Sequence, residues 1–231
     1  MKTIGLIGGM SWESTATYYR DINLGIQAQL GGLHSAKMMM YSVDFHEIEQ
    51  LQASGQWDAA GALLAEVAQT LERAGAQGLV LCTNTMHNVA NTIQAAVHIP
   101  LLHIADSTAV AIRAQGYTTV GLLGTRFTME QDFYRRRLED NHGLTVLIPD
   151  APDRDHVHRV IYDELCQGKL LPASRAAYLR VIDTLRARGA QAIILGCTEI
   201  ALLVQQHDCS LPLFDTAALH ADSAARWMLA P

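Results

Sequence analysis

Two stretches hold the residue types best suited to chemistry. Residues 189–200 read GAQAIILGCTEI and residues 75–85 read GAQGLVLCTNT, and they align without a gap at an offset of 114 residues. The alignment sets Gly75 against Gly189, Gln77 against Gln191 and Thr83 against Cys197, so one copy carries a thiol where the other carries a hydroxyl. Cys197 follows an apolar run that reads as a strand and precedes what reads as a helix. That placement predicts a sulfur in the positive field of backbone N–H groups, with its pKa drawn from about 8.5 toward neutrality, and hence a thiolate base or nucleophile. A threonine hydroxyl is too weak an acid to ionise near neutral pH, but Thr83 can donate a proton or position a water that does. Cys82 aligns with Gly196, and successive side chains in an extended strand point to opposite faces. If Thr83 faces a ligand, Cys82 faces the core. Cys82, Cys166 and Cys209 are therefore read as structural.

The elements that position these residues also recur. Residues 119–125, TVGLLGT, match 3–9, TIGLIGG, at an offset of 116; Phe133-Tyr134-Arg135 matches Tyr18-Tyr19-Arg20 at 115; Ile99-Pro100-Leu101 recurs as Leu211-Pro212-Leu213 at 112. Four blocks in one order mark an internal duplication. Within the first copy, β-branched and apolar residues 3–7 predict a strand stopped by Gly8-Gly9, then a helix over 14–30 capped by Ser11 or Ser14. Residues 38–43 and 79–82 read as strands, and 58–74 as an amphipathic helix ended by Gly75. The fold class expected is α/β, with two pseudo-symmetric domains, each a mostly parallel sheet flanked by helices. The first comprises residues 1–98 with 213–231 and the second 99–212. Ligands of such sheets bind beyond the carboxyl ends of the strands. The loops at 8–12, 83–86, 124–127 and 197–199 are then expected to meet across one cleft.

Charge and composition remove several function classes. The net charge is −6 and the densest basic run is Arg135-Arg136-Arg137, so the footprint of a nucleic-acid binder is missing and a small-molecule partner is expected. No apolar run approaches membrane-spanning length. Four cysteines without CxxC spacing, and no secretory signal, point to a cytoplasmic protein without a disulfide framework. The ten histidines show no metal-ligand spacing near the repeated blocks, so no metal is expected. Gly8-Gly9 does not fit GxGxxG and no GxxxxGK[ST] occurs. Lys2, Lys37 and Lys169 are poorly placed for a pyridoxal Schiff base, so the chain is expected to work without a cofactor.

Five motifs in order, GGMSWEST at 8–15, CTNTMH at 82–87, GTRFTM at 124–129, ELCQGK at 164–169 and GCTEI at 196–200, carry a resemblance over essentially the whole chain. The sequence resembles the cofactor-independent aspartate/glutamate racemase family, most closely the amino-acid racemase branch reading GCTE. It is less similar to cell-wall glutamate racemases, where a His usually follows the Thr. The resemblance implies two facing α/β domains with substrate between them and a cysteine on either side of its α-carbon, one removing the α-proton and the other returning one. In that family the first cysteine directly precedes Asn-Thr. Here that position is Thr83, with Cys82 one residue early, and the resemblance implies that Cys197 is the base that acts on the L enantiomer. The resemblance further implies substrate contacts from Met10, Asn84, Thr85, Thr125 and Thr198, with Gln52 lining the pocket and Lys169 holding a side-chain carboxylate. It also implies a homodimer. The alternatives are a broad-specificity racemase of neutral amino acids, a single-cysteine decarboxylase or isomerase of small dicarboxylates, and a non-catalytic amino-acid sensor on the same cleft.

Overall fold

The duplicated runs become the central strands of two four-stranded sheets. A computed structural model describes residues 1–231. The first sheet is built from β1 (Ile4–Gly8), α1 (Trp12–Leu30), β2 (Met38–Ser42), α2 (Phe45–Ala53), α3 (Trp57–Arg73), β3 (Gly78–Leu81), a 3-10 turn (Thr85–Val89) running into α4 (Ala90–Ala95), and β4 (Leu101–Leu102). The chain continues through α5 (Ile104–Ala114), β5 (Thr119–Gly124), α6 (Arg126–Glu130), α7 (Asp132–His142), β6 (Thr145–Leu147) and α8 (Ala151–Asp163). A second 3-10 turn (Leu165–Gln167), α9 (Pro172–Ala187), β7 (Ala192–Gly196), α10 (Ile200–Leu203), a third 3-10 turn (Gln206–Asp208), β8 (Leu213–Asp215) and α11 (Thr216–Leu229) complete it. Both sheets are parallel throughout, in the orders β2-β1-β3-β4 and β6-β5-β7-β8.

The chain divides into two compact units, Met1–Ile104 with His220–Pro231, and Ala105–Leu219. The sequence reading set the divide before residues 99 and 213. Strand pairing accounts for the difference, because each x-Pro-Leu segment supplies the fourth strand of the sheet that precedes it: β4 pairs with β3, and β8 with β7. Helix α2 was not anticipated; it is short, and its start rests on Asp44, whose carboxylate accepts from the His46 N–H.

The repeated residues perform the same task in each copy. Gly75 and Gly189 both end a helix in the positive-φ region, at 104° and 102°. The Gln77 amide oxygen accepts from Thr3 N–H at 2.9 Å, and the Gln191 oxygen accepts from Thr119 N–H at 3.0 Å, tying the starts of neighbouring strands. The Pro100 and Pro212 carbonyls each accept from the next strand, at Leu79 and Ile193, at 2.8 Å. Gln94 clasps Ile99 and Leu101 as Gln206 clasps Leu211 and Leu213.

Central strands buried on both faces need apolar cover. β1 is buried at all five positions, and α3 turns Ala60, Gly61, Leu64, Val67, Ala68 and Leu71 inward at the spacing of a single helix face. α11 adds Trp227, which lies against Gly78, where a Cβ would meet the ring at 2.5 Å.

Candidate active site

In the second unit, β7 delivers Gly196 and then the turn Cys197-Thr198-Glu199 ahead of α10. Gly196 allows a tight approach, since a Cβ there would meet the Leu123 carbonyl at 2.9 Å. Cys197, Thr198 and Glu199 are all half-buried. The Glu199 carboxylate folds back: its Oε2 accepts from Cys197 Sγ at 3.0 Å and from Thr198 Oγ1 at 2.7 Å. Burial, joined by the Glu199 charge and by nearby Cys166, pushes the Cys197 thiol well above its ordinary value. This corrects the expectation of a thiolate stabilised by a helix start. α10 has only four residues and generates little dipole, while a carboxylate 3.0 Å away favours the protonated thiol. At rest the geometry is that of a thiol donating to a carboxylate.

The register Gly124↔Gly196 brings the end of β5 beside the end of β7. Thr125 follows Gly124, is buried, and caps α6 by accepting from Thr128 N–H. The next N–H, of Arg126, donates to His158 Nδ1 at 3.2 Å. Lys169 lies just beyond the 3-10 turn that ends α8 and is exposed. Its Nζ donates to the Gln167 amide oxygen at 2.7 Å, so its charge meets a neutral partner and no carboxylate.

In the first unit, the register Ile7↔Leu81 places the Gly8-Gly9-Met10 loop beside Cys82-Thr83-Asn84-Thr85. Cys82 is fully buried, its Sγ 3.9 Å from the Val80 carbonyl, and burial alone drives its thiol far up; Thr83 is half-buried. Both residues lie just past the end of β3 at Leu81, with Cys82 the more buried of the two. Asn84 and Thr85 are buried at the head of the 3-10 turn. Met10 shares an apolar cluster with Met86, and Gln52 of α2 joins it, its Nε2 2.8 Å from Met86 Sδ. Gly9, at φ 97°, lies against the backbone of Val43, whose carbonyl a Cβ would strike.

Met10, Gln52, Thr83, Asn84 and Thr85 therefore gather at the carboxyl ends of β1 and β3, and Thr125, Cys197 and Thr198 at those of β5 and β7. Lys169 stands on the separate ELCQGK loop. The sequence reading missed Glu199. Its signal was an acidic residue two positions beyond the cysteine on a polar turn, where the first copy has Thr85. No group of three His, Cys, Asp or Glu is arranged to hold a metal ion. No helix is long and apolar enough to cross a membrane.

The family model for the Asp/Glu/Hydantoin racemases matches residues 7–224. The chain is 24% identical to the broad specificity amino-acid racemase RacX of Bacillus subtilis (strain 168), covering 98% of each chain. Among solved structures it is similar to one from Yersinia pestis provisionally described as an Asp/Glu racemase, with 60% identity, full coverage of both chains and a TM-score of 0.95. It is also similar to an aspartate racemase homologue from Pyrococcus horikoshii OT3, with 33% identity, full coverage of both chains and a TM-score of 0.85.

Proposed function

The chain belongs to the Asp/Glu/hydantoin racemase family, and we propose that it is a cofactor-independent racemase of aspartate or glutamate. In this reading Cys197 removes the α-proton of the L enantiomer, and Thr83 returns a proton to the opposite face, directly or through a water. The observation that carries it is the 3.0 Å hydrogen bond from Cys197 Sγ to Glu199. A half-buried thiol held above its ordinary pKa is not a base until it loses its proton, and Glu199 is the acceptor within reach. The α-ammonium of an arriving substrate supplies positive charge that offsets the cost of forming the thiolate. Backbone N–H groups of the turns after Thr83 and Cys197 take up the charge that develops on the α-carboxylate as the carbanion forms. Met10, Asn84, Thr85, Thr125 and Thr198 orient the substrate, with Gln52 as lining. We also take the enzyme to be a homodimer, as the resemblance implies, and, from cysteines without disulfide spacing, cytoplasmic.

In deuterated water, L-aspartate or L-glutamate should exchange its α-proton, and Cys197→Ser should abolish that exchange. Exchange surviving in the variant would refute the assignment. An amino-acid sensor would bind without exchange.

A second reading, a broad-specificity racemase, is favoured by the exposure of Lys169 and its neutral partner Gln167. Lys169→Ala separates the two. Selectivity for acidic substrates through this ammonium predicts a KM for aspartate and glutamate raised by about tenfold or more, with neutral amino acids unaffected. Equal effects on both classes favour the broad enzyme.

A further inference from the structure

The mechanism above makes no use of a ring buried four residues beyond Thr83. His87 is 2% exposed. Its Nδ1 lies 2.7 Å from the Thr83 carbonyl, and its Nε2 lies 3.2 Å from the N–H of Ile104, the first residue of α5. A carbonyl only accepts and a backbone N–H only donates, so the ring is neutral, protonated on Nδ1 and bare on Nε2. The ring is also wedged: its centroid is 4.5 Å from that of His103 and 5.8 Å from that of His220. His220 is itself fixed, bonded to Tyr18 Oη at 3.0 Å and to the Leu102 carbonyl at 2.8 Å.

The second copy has no such ring. Position 201, which matches His87 in the duplication, is Ala201, and the Cys197 carbonyl accepts from Ile200 N–H within its own turn. The clamp accompanies only the copy that carries the hydroxyl. A hydroxyl is a poor proton donor, and its transfer rate depends steeply on distance and alignment.

We propose that His87 is a positioning residue for Thr83, holding its backbone against the start of α5 so that the hydroxyl, or the water it binds, is aligned to protonate the carbanion. The proposal rests on the racemase reading in which Thr83 serves the proton-returning face.

Two near-isosteric substitutions split the clamp. The amide of His87→Asn can replace Nδ1 and keep the bond to Thr83, while the carbonyl oxygen of His87→Gln can replace Nε2 and keep the bond to Ile104. Each variant loses one buried bond, so a purely structural role predicts similar behaviour. The measurement is the ratio of inversion to α-deuterium incorporation, starting from the L enantiomer. His87→Gln should lower that ratio about tenfold while Cys197-dependent exchange persists, and His87→Asn should stay within about twofold of the parent. Equal ratios in the two variants would overturn the proposal. Ring-nitrogen NMR of the parent gives a second arm that needs no variant to fold: Nδ1 should carry the proton from pH 6 to pH 8 (on the order of one unit either side of neutrality), and a ring protonated on Nε2 would refute the clamp. Absence of α-proton exchange in the parent enzyme would refute the racemase reading itself, an outcome distinct from exchange with unaltered ratios.

Discussion

Glu199 and Cys197 form an acid–base pair whose members pull against each other. Burial holds the thiol pKa up and the carboxylate raises it further, yet the carboxylate is also the group that can accept the thiol proton. Glu199→Gln removes both effects, which have opposite signatures. Without the negative charge the Cys197 pKa falls, so alkylation of Cys197 by iodoacetamide, followed by peptide-resolved mass spectrometry, should become faster at a given pH. Without the acceptor, turnover of the L enantiomer should fall by about 10²-fold. Faster alkylation with unchanged turnover would remove Glu199 from proton transfer. Cys82 gives a different test. Its thiol is free of charged neighbours but fully buried, and its folded pKa lies far above the unfolded value of about 8.5. The folded state then holds a proton that the unfolded state releases, so stability is fully present below about pH 8.5 and is lost as pH rises, by about 1.4 kcal/mol per pH unit. In urea unfolding, Cys82→Ala should show a shallower alkaline decline than the parent by that amount. The offset of 114 residues, with the strand phase, was enough to put Cys82 in the interior and leave Thr83 only half-buried. The direction of the Cys197 shift was not legible, because it depends on burial at the strand end, on a side chain folding back on its own turn and on a helix of only four residues.

At the scale of elements, the duplication was readable because the repeated residues are those whose backbone or amide roles allow few substitutes. Gly75 and Gly189 end helices at positive φ, Gln77 and Gln191 tie strand starts, and the segments around Pro100 and Pro212 feed the fourth strands. Short elements were harder to read. β4 has two residues and β8 three, too few to show a period, so the divide between the units was placed before them. Helix α2, which carries Gln52, begins on an Asp cap without a long apolar face and was passed over. Gly78 tests the packing of α11 on the first sheet. A methyl there would meet Trp227 at 2.5 Å, so Gly78→Ala forces the ring or the strand to shift and should destabilise by about 1–3 kcal/mol in urea unfolding. Unchanged stability would mean that α11 yields at that contact without cost.

For the whole molecule, the two copies share one architecture and differ in their chemistry. The second holds Cys197-Thr198-Glu199, a thiol with its own acceptor, and the first holds Thr83-Asn84-Thr85, which are all neutral. A racemase needs a group on each face of one carbon, and in the proposed reaction these are unequal, with Cys197 as the base and Thr83 as a weak donor. Thermodynamics restricts what that inequality can do. The equilibrium constant of racemisation is one, so kcat/KM is the same in both directions and progress curves from either enantiomer end at equal amounts. Slow proton removal by the Thr83 face must then appear as a low kcat from the D enantiomer matched by a proportionally low KM. Thr83→Cys supplies a thiol where the family places one. It should raise kcat from the D enantiomer by about tenfold or more, with kcat/KM staying equal for the two enantiomers, as measured by initial rates with chiral separation of the products. If kcat from D stays put while L turnover is intact, Thr83 is not the limiting group on its face, and proton return runs through a water held by other residues.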